Sequence, residues 1–563
     1  MDEYIIVGID FGTTYSGVAW AYSKEPEEIE VVTTWNSDLN HCSDLEKTPT
    51  HLYFGKGRDN IKWGYAVPEN DEVLEWFKLL LLKEQDLPSD LRHSPKVLEA
   101  RRLQEASHRD VVDLVACFLT QLWKHALQSI EEANGKNLVE KCRFYVVMTL
   151  PAIWPHYAQE SMRQAAQKAG ILSKRCAGET VLSFVSEPEA AALATIKDHS
   201  KKSTIKDLIS YRVERKEPFV LKECVKGEGG LCGGIFLDEQ FKKLIISKTS
   251  NWLDTVDKRQ LKKFLNDNWE HGIKPQFRGQ NRSWGVELPN SVVAKRKGKK
   301  RTSTLEIMTS ELIDVFDPIV AKVKSLVLHQ SMAIMGKYGE KQKFIILVGG
   351  FGRSPYLFEQ LKLLVGEDTT VLQSRGSKPW AAICRGAVAH GITALGLSGC
   401  CDVKVDTRVA RMSYGVEISE PFNHEIHSYK DWFIDPCTLE QEAANQMQWF
   451  IRQGLDLSAT TSVRHQFRYT FNGAIGPISE EFVVSSSSKP PSRRDQSVSV
   501  LCKVNWEKTI KRRLLPIGVN NRGEAYRILE YEIEMTCNGT TVDFTVYYDG
   551  ERVAQHVVQV EYV

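Results

Sequence analysis

Asp10, Gly12, Thr13, Thr14 and Tyr15 crowd into one short run, Asp10-Phe11-Gly12-Thr13-Thr14-Tyr15-Ser16-Gly17. One carboxylate, two threonine hydroxyls and several backbone N–H groups meet there. Successive N–H groups in a turn make an anion-binding concavity, and a glycine without Cβ lets an anion come close to the backbone. A phosphate suits this set. Asp10 suits a hydrated Mg²⁺, which keeps several waters and needs only one or two carboxylates. The runs on either side, Tyr4-Ile5-Ile6-Val7-Gly8-Ile9 and Val18-Ala19-Trp20-Ala21-Tyr22, read as strands, so the turn is the loop of a β-hairpin. An ordinary turn that binds nothing is the competing reading.

A second run offers a different kind of contact. Phe344-Ile345-Ile346-Leu347-Val348 reads as a buried strand. Gly349-Gly350-Phe351-Gly352-Arg353-Ser354-Pro355 follows, then a helix from 356 to about 364 with Pro355 in its first turn. Paired glycines at a strand end let a flat ring lie on the backbone, and the planar Arg353 guanidinium can stack on it. A glycine-rich strand-to-helix turn without a ligand is the alternative.

Together these motifs resemble the actin-like ATPase fold of the seventy-kilodalton heat-shock chaperones, and the divergent, lid-poor branch common in fungi in particular. Residues 4–395 carry the resemblance well, the remainder more loosely. It implies an α/β architecture of two ribonuclease H-like lobes with inserted subdomains, followed by a C-terminal β-rich domain. The expected divisions are 1–195, 196–398 and 399–563. Within Trp76-Phe77-Lys78-Leu79-Leu80, Lys78 matches the family's catalytic lysine. Phe144 to Ala152 resembles a strand and Pro-Ala turn before an amphipathic helix. Val185-Ser186-Glu187-Pro188-Glu189-Ala190 resembles the connecting helix, and Glu187 the acidic residue near the attacking water. The glycine-rich stretch holding Gly229 and Gly230, followed by Phe236-Leu237-Asp238, resembles the turn facing the γ-phosphate. The resemblance implies ATP or ADP and Mg²⁺ as cofactors. Gly12, Thr13, Thr14, Tyr15, Gly229, Gly230, Gly349, Gly350 and Arg353 would hold the nucleotide, Asp10 the metal, and Lys78, Glu187 and Asp207 would act in hydrolysis.

One motif of the family is missing. After the connecting helix a strand should lead into Asp-x-Gly-Gly-Gly-Thr-x-Asp. This chain reads Ile196-Lys197-Asp198-His199-Ser200-Lys201-Lys202-Ser203-Thr204-Ile205-Lys206, which is polar and has no glycine. A strand needs about five or six residues. Only residues 207–211 resemble the strand after the loop. Either the loop has decayed, or a piece of the transcript or gene model is absent; the abrupt join favours the second. In both cases hydrolysis should be poor, and a neighbouring strand should lose a partner. Two milder departures accompany this one. Trp380 replaces an acidic residue, and the adenine-contacting Glu–Lys pair is placed on Glu270 and Lys274 only by their i, i+4 spacing, which a solvated surface pair shares.

Composition sets limits. The chain has 563 residues, 42% of them hydrophobic, enough for several cores, and a net charge of +1 that draws it to neither nucleic acid nor membrane. Twelve cysteines without a Cys-x-x-Cys pair argue against a zinc site or disulfide framework. Reduced thiols, an acidic start at Asp2-Glu3 and no run of membrane-span length point to the cytoplasm. The basic block at 295–301 offers a nuclear address as the alternative, with a solvated loop the commoner meaning of such a run.

From about Val403 short alternating runs dominate. Residues 531–537, 541–548 and 552–562 read as a β-meander with turns at Asn538-Gly539 and Asp549-Gly550. A sandwich is expected to begin near residues 411–416, with a helix over 439–451 and a flexible loop over 485–496. In the resembled family such a sandwich binds extended apolar peptides, so unfolded client polypeptides and co-chaperones are the implied partners, without a long helical lid. Two functions stay open: an ATP-binding chaperone-like protein with impaired hydrolysis, and a nucleotide-poor pseudo-ATPase acting as a scaffold. A sugar kinase would need an Asp/Asn cluster that is not found.

Overall fold

The computed structural model describes all residues except 1–2, 38–44, 56–60, 69–71, 88, 152–153, 200–206, 209–210, 217–218, 226–231, 251–255, 296–302, 374–379, 398–402, 411, 459–461, 474–477, 507–509, 538–541 and 558–563. Gly229, Gly230, the Asn538-Gly539 turn and most of the basic block therefore lie outside the described residues. The chain divides into two compact units, Met1–Val220 with Gly227–Lys404, and Leu221–Lys226 with Val405–Val563.

The first unit is built on β1 (Tyr4–Asp10), β2 (Tyr15–Tyr22), β3 (Arg143–Leu150) and β4 (Val181–Ser186). They lie in the order β2-β1-β3-β4. β1 pairs antiparallel with β2, as the hairpin reading requires, and parallel with β3. Its run is apolar throughout because both faces are covered. Ile5, Val7 and Ile9 enter the large core against α1 (Val111–Asn134) and α2 (His156–Lys168). α1 starts where the Asp110 carboxylate accepts the Val112 N–H, and buries Leu114, Val115, Phe118, Leu122 and Ala126 along one stripe. α3 (Glu187–His199) leaves the end of β4.

A second core follows in the chain. α4 (Gly234–Lys248) contributes Leu237, Phe241 and Ile245. The hairpin β5 (Ser283–Glu287) and β6 (Thr304–Met308) contributes alternate residues Trp284, Val286, Leu305 and Ile307. α5 (Thr309–Tyr338), β7 (Phe344–Leu347), α6 (Pro355–Val365) and β8 (Thr370–Gln373) complete it. β7 pairs parallel with β8 and, among the described residues, with no other strand. The single strand expected over 207–211 is instead two pieces, Asp207–Leu208 and Tyr211–Lys216, folded antiparallel.

α7 (Ala382–Ala394) returns to the first sheet. Cys384, Val388 and Ile392 pack on Ile6, while Ala387 meets Val147 and Ala190. A Cβ on Gly386 would stand 1.6 Å from the Ala190 carbonyl oxygen of α3. The two helices touch backbone to backbone, as the Gly386-Ala387-Val388-Ala389 pattern suggested.

The second unit is a β-sandwich. One sheet has β9 (Ser413–Pro421), β10 (Trp432–Ile434), β11 (Gln441–Ile451), β13 (Ser479–Ser485) and β14 (Val498–Asn505) in the order β10-β11-β9-β13-β14. The other has β12 (Ser462–Phe471), β15 (Ala525–Cys537), β16 (Val542–Tyr548) and β17 (Glu551–Val557), in sequence order. Phe482 and Phe544 stack between the sheets at 3.7 Å, centroid to centroid. The terminal meander forms over the described residues, β15 to β17, with Asp549 and Gly550 both at positive φ; the rest of the expected last strand, 558–562, lies outside them. The helix expected over 439–451 does not: those residues are β11. Gln441 to Met447 has helix-favouring composition, but β9 and β10 flank it, and both its faces are covered, Met447 and Trp449 on one and Phe450 on the other. The loop over 485–496 is also not free. Its Pro491 carbonyl accepts from Trp449 Nε1 at 2.8 Å, Ser492 and Arg494 bond the β11 backbone, and Arg493 pairs with the buried Asp431.

Two outcomes test this architecture. Gly386→Ala should cost about 3 kcal/mol in urea unfolding, because neither backbone can yield; a cost below about 1 kcal/mol would contradict the helix contact. In the sandwich, burial pushes the Glu480 carboxyl up to about 7. The folded state then holds a proton that the unfolded chain releases near 4.5, so stability should fall as pH rises from about 4.5 to 7. Glu480→Gln should flatten that slope and raise the melting temperature at pH 8. An unchanged thermal-melt profile would count against it.

Candidate functional site

The hairpin turn hangs between β1 and β2 and is laced to the segment that follows Glu46. The Gly12 N–H donates to Ser16 Oγ at 3.3 Å, and Thr50 Oγ1 donates to the Gly12 carbonyl at 2.8 Å. Ser16 and Thr50 hydroxyls bond each other at 2.8 Å, and the Thr50 N–H donates to the Thr14 carbonyl. Gly12's amide is thereby spent inside the turn. The Thr13 and Thr14 amides have no partner among the described residues, so two of the three expected donors remain open to an anion. Tyr15 is 39% exposed, with its ring edge-on to Trp380 at 5.5 Å. Desolvation raises its hydroxyl pKa, and the nearby Glu270, Asp238 and Glu75 carboxylates add to that.

Lys78 sits in a tight turn, Phe77–Leu81, entered through Trp76 at φ 61. Its side chain is 2% exposed, and Nζ meets Glu187 Oε1 at 3.0 Å. The rings of Trp154 and Phe11 lie 5.1 and 5.7 Å from the ammonium. An ammonium so enclosed keeps its charge only beside a carboxylate and π faces. The structure therefore joins two residues 109 positions apart that the sequence nominated separately.

At the end of β1, Asp10 is 2% exposed. Its Oδ2 pairs with Lys47 Nζ at 2.5 Å, and its Oδ1 faces Thr149 Oγ1 at 3.4 Å. Lys47 was not nominated by the sequence, since Glu46-Lys47-Thr48-Pro49 carries no local mark of a buried charge. The Mg²⁺ expected on Asp10 thus meets a carboxylate already facing a cation, and no cluster of three or more His, Cys, Asp or Glu suited to a metal forms among the described residues.

Across the second core, Gly349 has φ +80, and added Cβ atoms on Gly349 or Gly350 would meet nothing within 4 Å. The backbone there has open space beside it, and Arg353 is exposed. Lys274 donates to Glu270 Oε2 at 2.6 Å and to Asp238 Oδ1 at 2.8 Å, and Trp269 Nε1 donates to the same Asp238 oxygen. Burial works against the Lys274 charge, but Asp238 and Glu270 outweigh it and its pKa is raised. Glu270 and Lys274 are therefore no solvated pair. A Cβ on Gly234 would lie 3.4 Å from Lys274 Nζ and 3.9 Å from Phe351 Cβ, so this cluster adjoins the glycine turn. Asp207 lies in its short strand, with its side chain outside the described residues.

The chain is similar to known proteins along most of its length. Human heat shock 70 kDa protein 12A is 23% identical, over 74% of this chain and 72% of its own length. Human heat shock 70 kDa protein 12B is 30% identical over 198 residues, 34% of this chain and 27% of that protein. A ribosome-associated molecular chaperone of Saccharomyces cerevisiae is 28% identical over 199 residues, 33% of this chain and 28% of that protein. Residues 408–562 match a family model described as a domain of unknown function (DUF8568). These relatives make the chain similar to the heat shock protein 70 family and imply an actin-like ATPase fold for it, and a mixed α/β unit followed by a β-rich unit agrees with that.

Proposed function

We propose that this chain binds ATP or ADP between two ribonuclease H-like lobes, hydrolyses ATP poorly, and belongs to the lid-poor branch of its family. The observations that carry the reading are the unspent amides at Thr13 and Thr14, the buried ammonium at Lys78 and the open glycine backbone at Gly349 and Gly350. The amides and Lys78 meet the phosphates, and Gly349, Gly350 and Arg353 take the purine. The cluster of Asp238, Glu270 and Lys274 borders that floor. Glu187 orients water, and Asp207 is assigned a role in hydrolysis by resemblance alone. No step is assigned to Mg²⁺, because Asp10 already neutralises a lysine.

Poor turnover follows from the missing glycine loop before Asp207. Losing one preorganised donor at a developing charge costs about 3 kcal/mol, and a whole loop costs more. The alignment with the human 12A protein runs over 520 positions yet takes in 74% of this chain, so that relative carries a length of sequence with no counterpart here. Client polypeptides at the sandwich, co-chaperones and a cytoplasmic location complete the proposal. The scaffold reading is favoured by one observation, that Lys78 and Glu187 already satisfy each other.

Calorimetry on the full chain tests the nucleotide reading. ADP should bind, and Gly350→Val should weaken it by about tenfold or more, or 1.4 kcal/mol, with an unchanged melting temperature, because the added atoms enter open space. Equal ADP affinity in the variant would overturn the purine floor at Gly350, and no binding by the parent would leave only the scaffold reading. Single-turnover ATP hydrolysis should be slower than nucleotide exchange. A burst of product faster than exchange would overturn the claim of impaired chemistry.

A further inference from the structure

The Lys47–Asp10 pair is built, not incidental. Segment Thr48–Pro49 pairs with β2 at Tyr15 and Ser16, and Tyr65 Oη donates to the Lys47 carbonyl at 3.2 Å. The Lys47 stem crosses Gly17, the register partner of Asp10; a Cβ there would sit 2.9 Å from Lys47 Cγ and 3.5 Å from Cε. Only a glycine leaves that path clear. The Lys47 side chain, 7% exposed, ends against the Asp10 carboxylate. An ammonium has three donors, and Lys47 spends one on a protein group among the described residues. Two charged N–H groups thus remain at the root of the turn that offers the Thr13 and Thr14 amides.

A divalent ion at Asp10 would stand beside this ammonium, and like charges a few ångströms apart in a buried site repel strongly. We infer that Lys47 takes the place of the divalent cation in this site, so that a nucleoside polyphosphate binds at the hairpin without Mg²⁺, its phosphate oxygens accepting from the Lys47 ammonium. The phosphate half of this inference rests on the nucleotide reading above. The metal half stands on the geometry of Asp10 alone.

The test has two readouts on the full chain. In calorimetry, ADP affinity in EDTA should lie within about twofold of that in Mg²⁺, whereas Lys47→Thr should make binding about tenfold or more Mg²⁺-dependent. In electron paramagnetic resonance, Mn²⁺ added without nucleotide should stay free with the parent chain, and be held by Lys47→Thr but not by Lys47→Thr with Asp10→Asn. Parent binding of ADP that Mg²⁺ tightens tenfold would overturn the inference and leave the nucleotide reading standing. So would Mn²⁺ retained by the parent and lost in Asp10→Asn. If ADP binds in neither buffer, the nucleotide reading fails and with it the phosphate half, while the Mn²⁺ titration still decides the metal half. Both parent-chain readouts hold even if Lys47→Thr does not fold.

Discussion

The contact between α3 and α7 governs the placement of the charged groups in the first unit. Ala190 and Gly386 bring the two helix backbones together so closely that no Cβ fits between them. α3 begins at Glu187, so this contact sets where that carboxylate stands. α7 also lies on β1 through Ile6, and β1 ends at Asp10. Helix packing with no slack thereby transmits a backbone constraint to two carboxylates from different parts of the chain.

Each of those carboxylates holds a lysine. Lys78 with Glu187 and Lys47 with Asp10 form two ion pairs whose ammonium groups are nearly excluded from water. Pairs of this kind contribute little net stability, since desolvation offsets attraction. What they provide is fixed position for the side chains around the hairpin. The second core is built more thinly at the matching place. β7 has one strand partner among the described residues, where the first sheet surrounds β1 on both sides.

Features set by neighbours in sequence were legible in advance. The hairpin at Asp10 to Gly17, the turn at Gly349, the helix after Pro355 and the terminal meander follow from glycine placement, Pro at a helix start and period-two alternation. Lys78 and Glu187 were nominated by resemblance, and Gly349 and Gly350 by their type. Residues 439–451 misled because their composition favours a helix while two flanking strands and two covered faces enforce extension. The serine- and proline-rich run at 485–496 misled because its backbone is tied to β11, a partner some forty residues away that turn chemistry does not register.

By itself the sequence determined the resemblance to the family, the hairpin, the glycine turn and the lack of glycine from Ile196 to Lys206. Each is a short string of residue types whose backbone behaviour is intrinsic. Only the tertiary structure decided which charges meet: Lys78 with Glu187, Lys274 with Asp238 as well as Glu270, and Lys47 with Asp10. The physical reason is that a lysine's partner is chosen by burial. Where chain segments far apart in sequence exclude water together, an ammonium must find a carboxylate, and no local pattern says which one will be there.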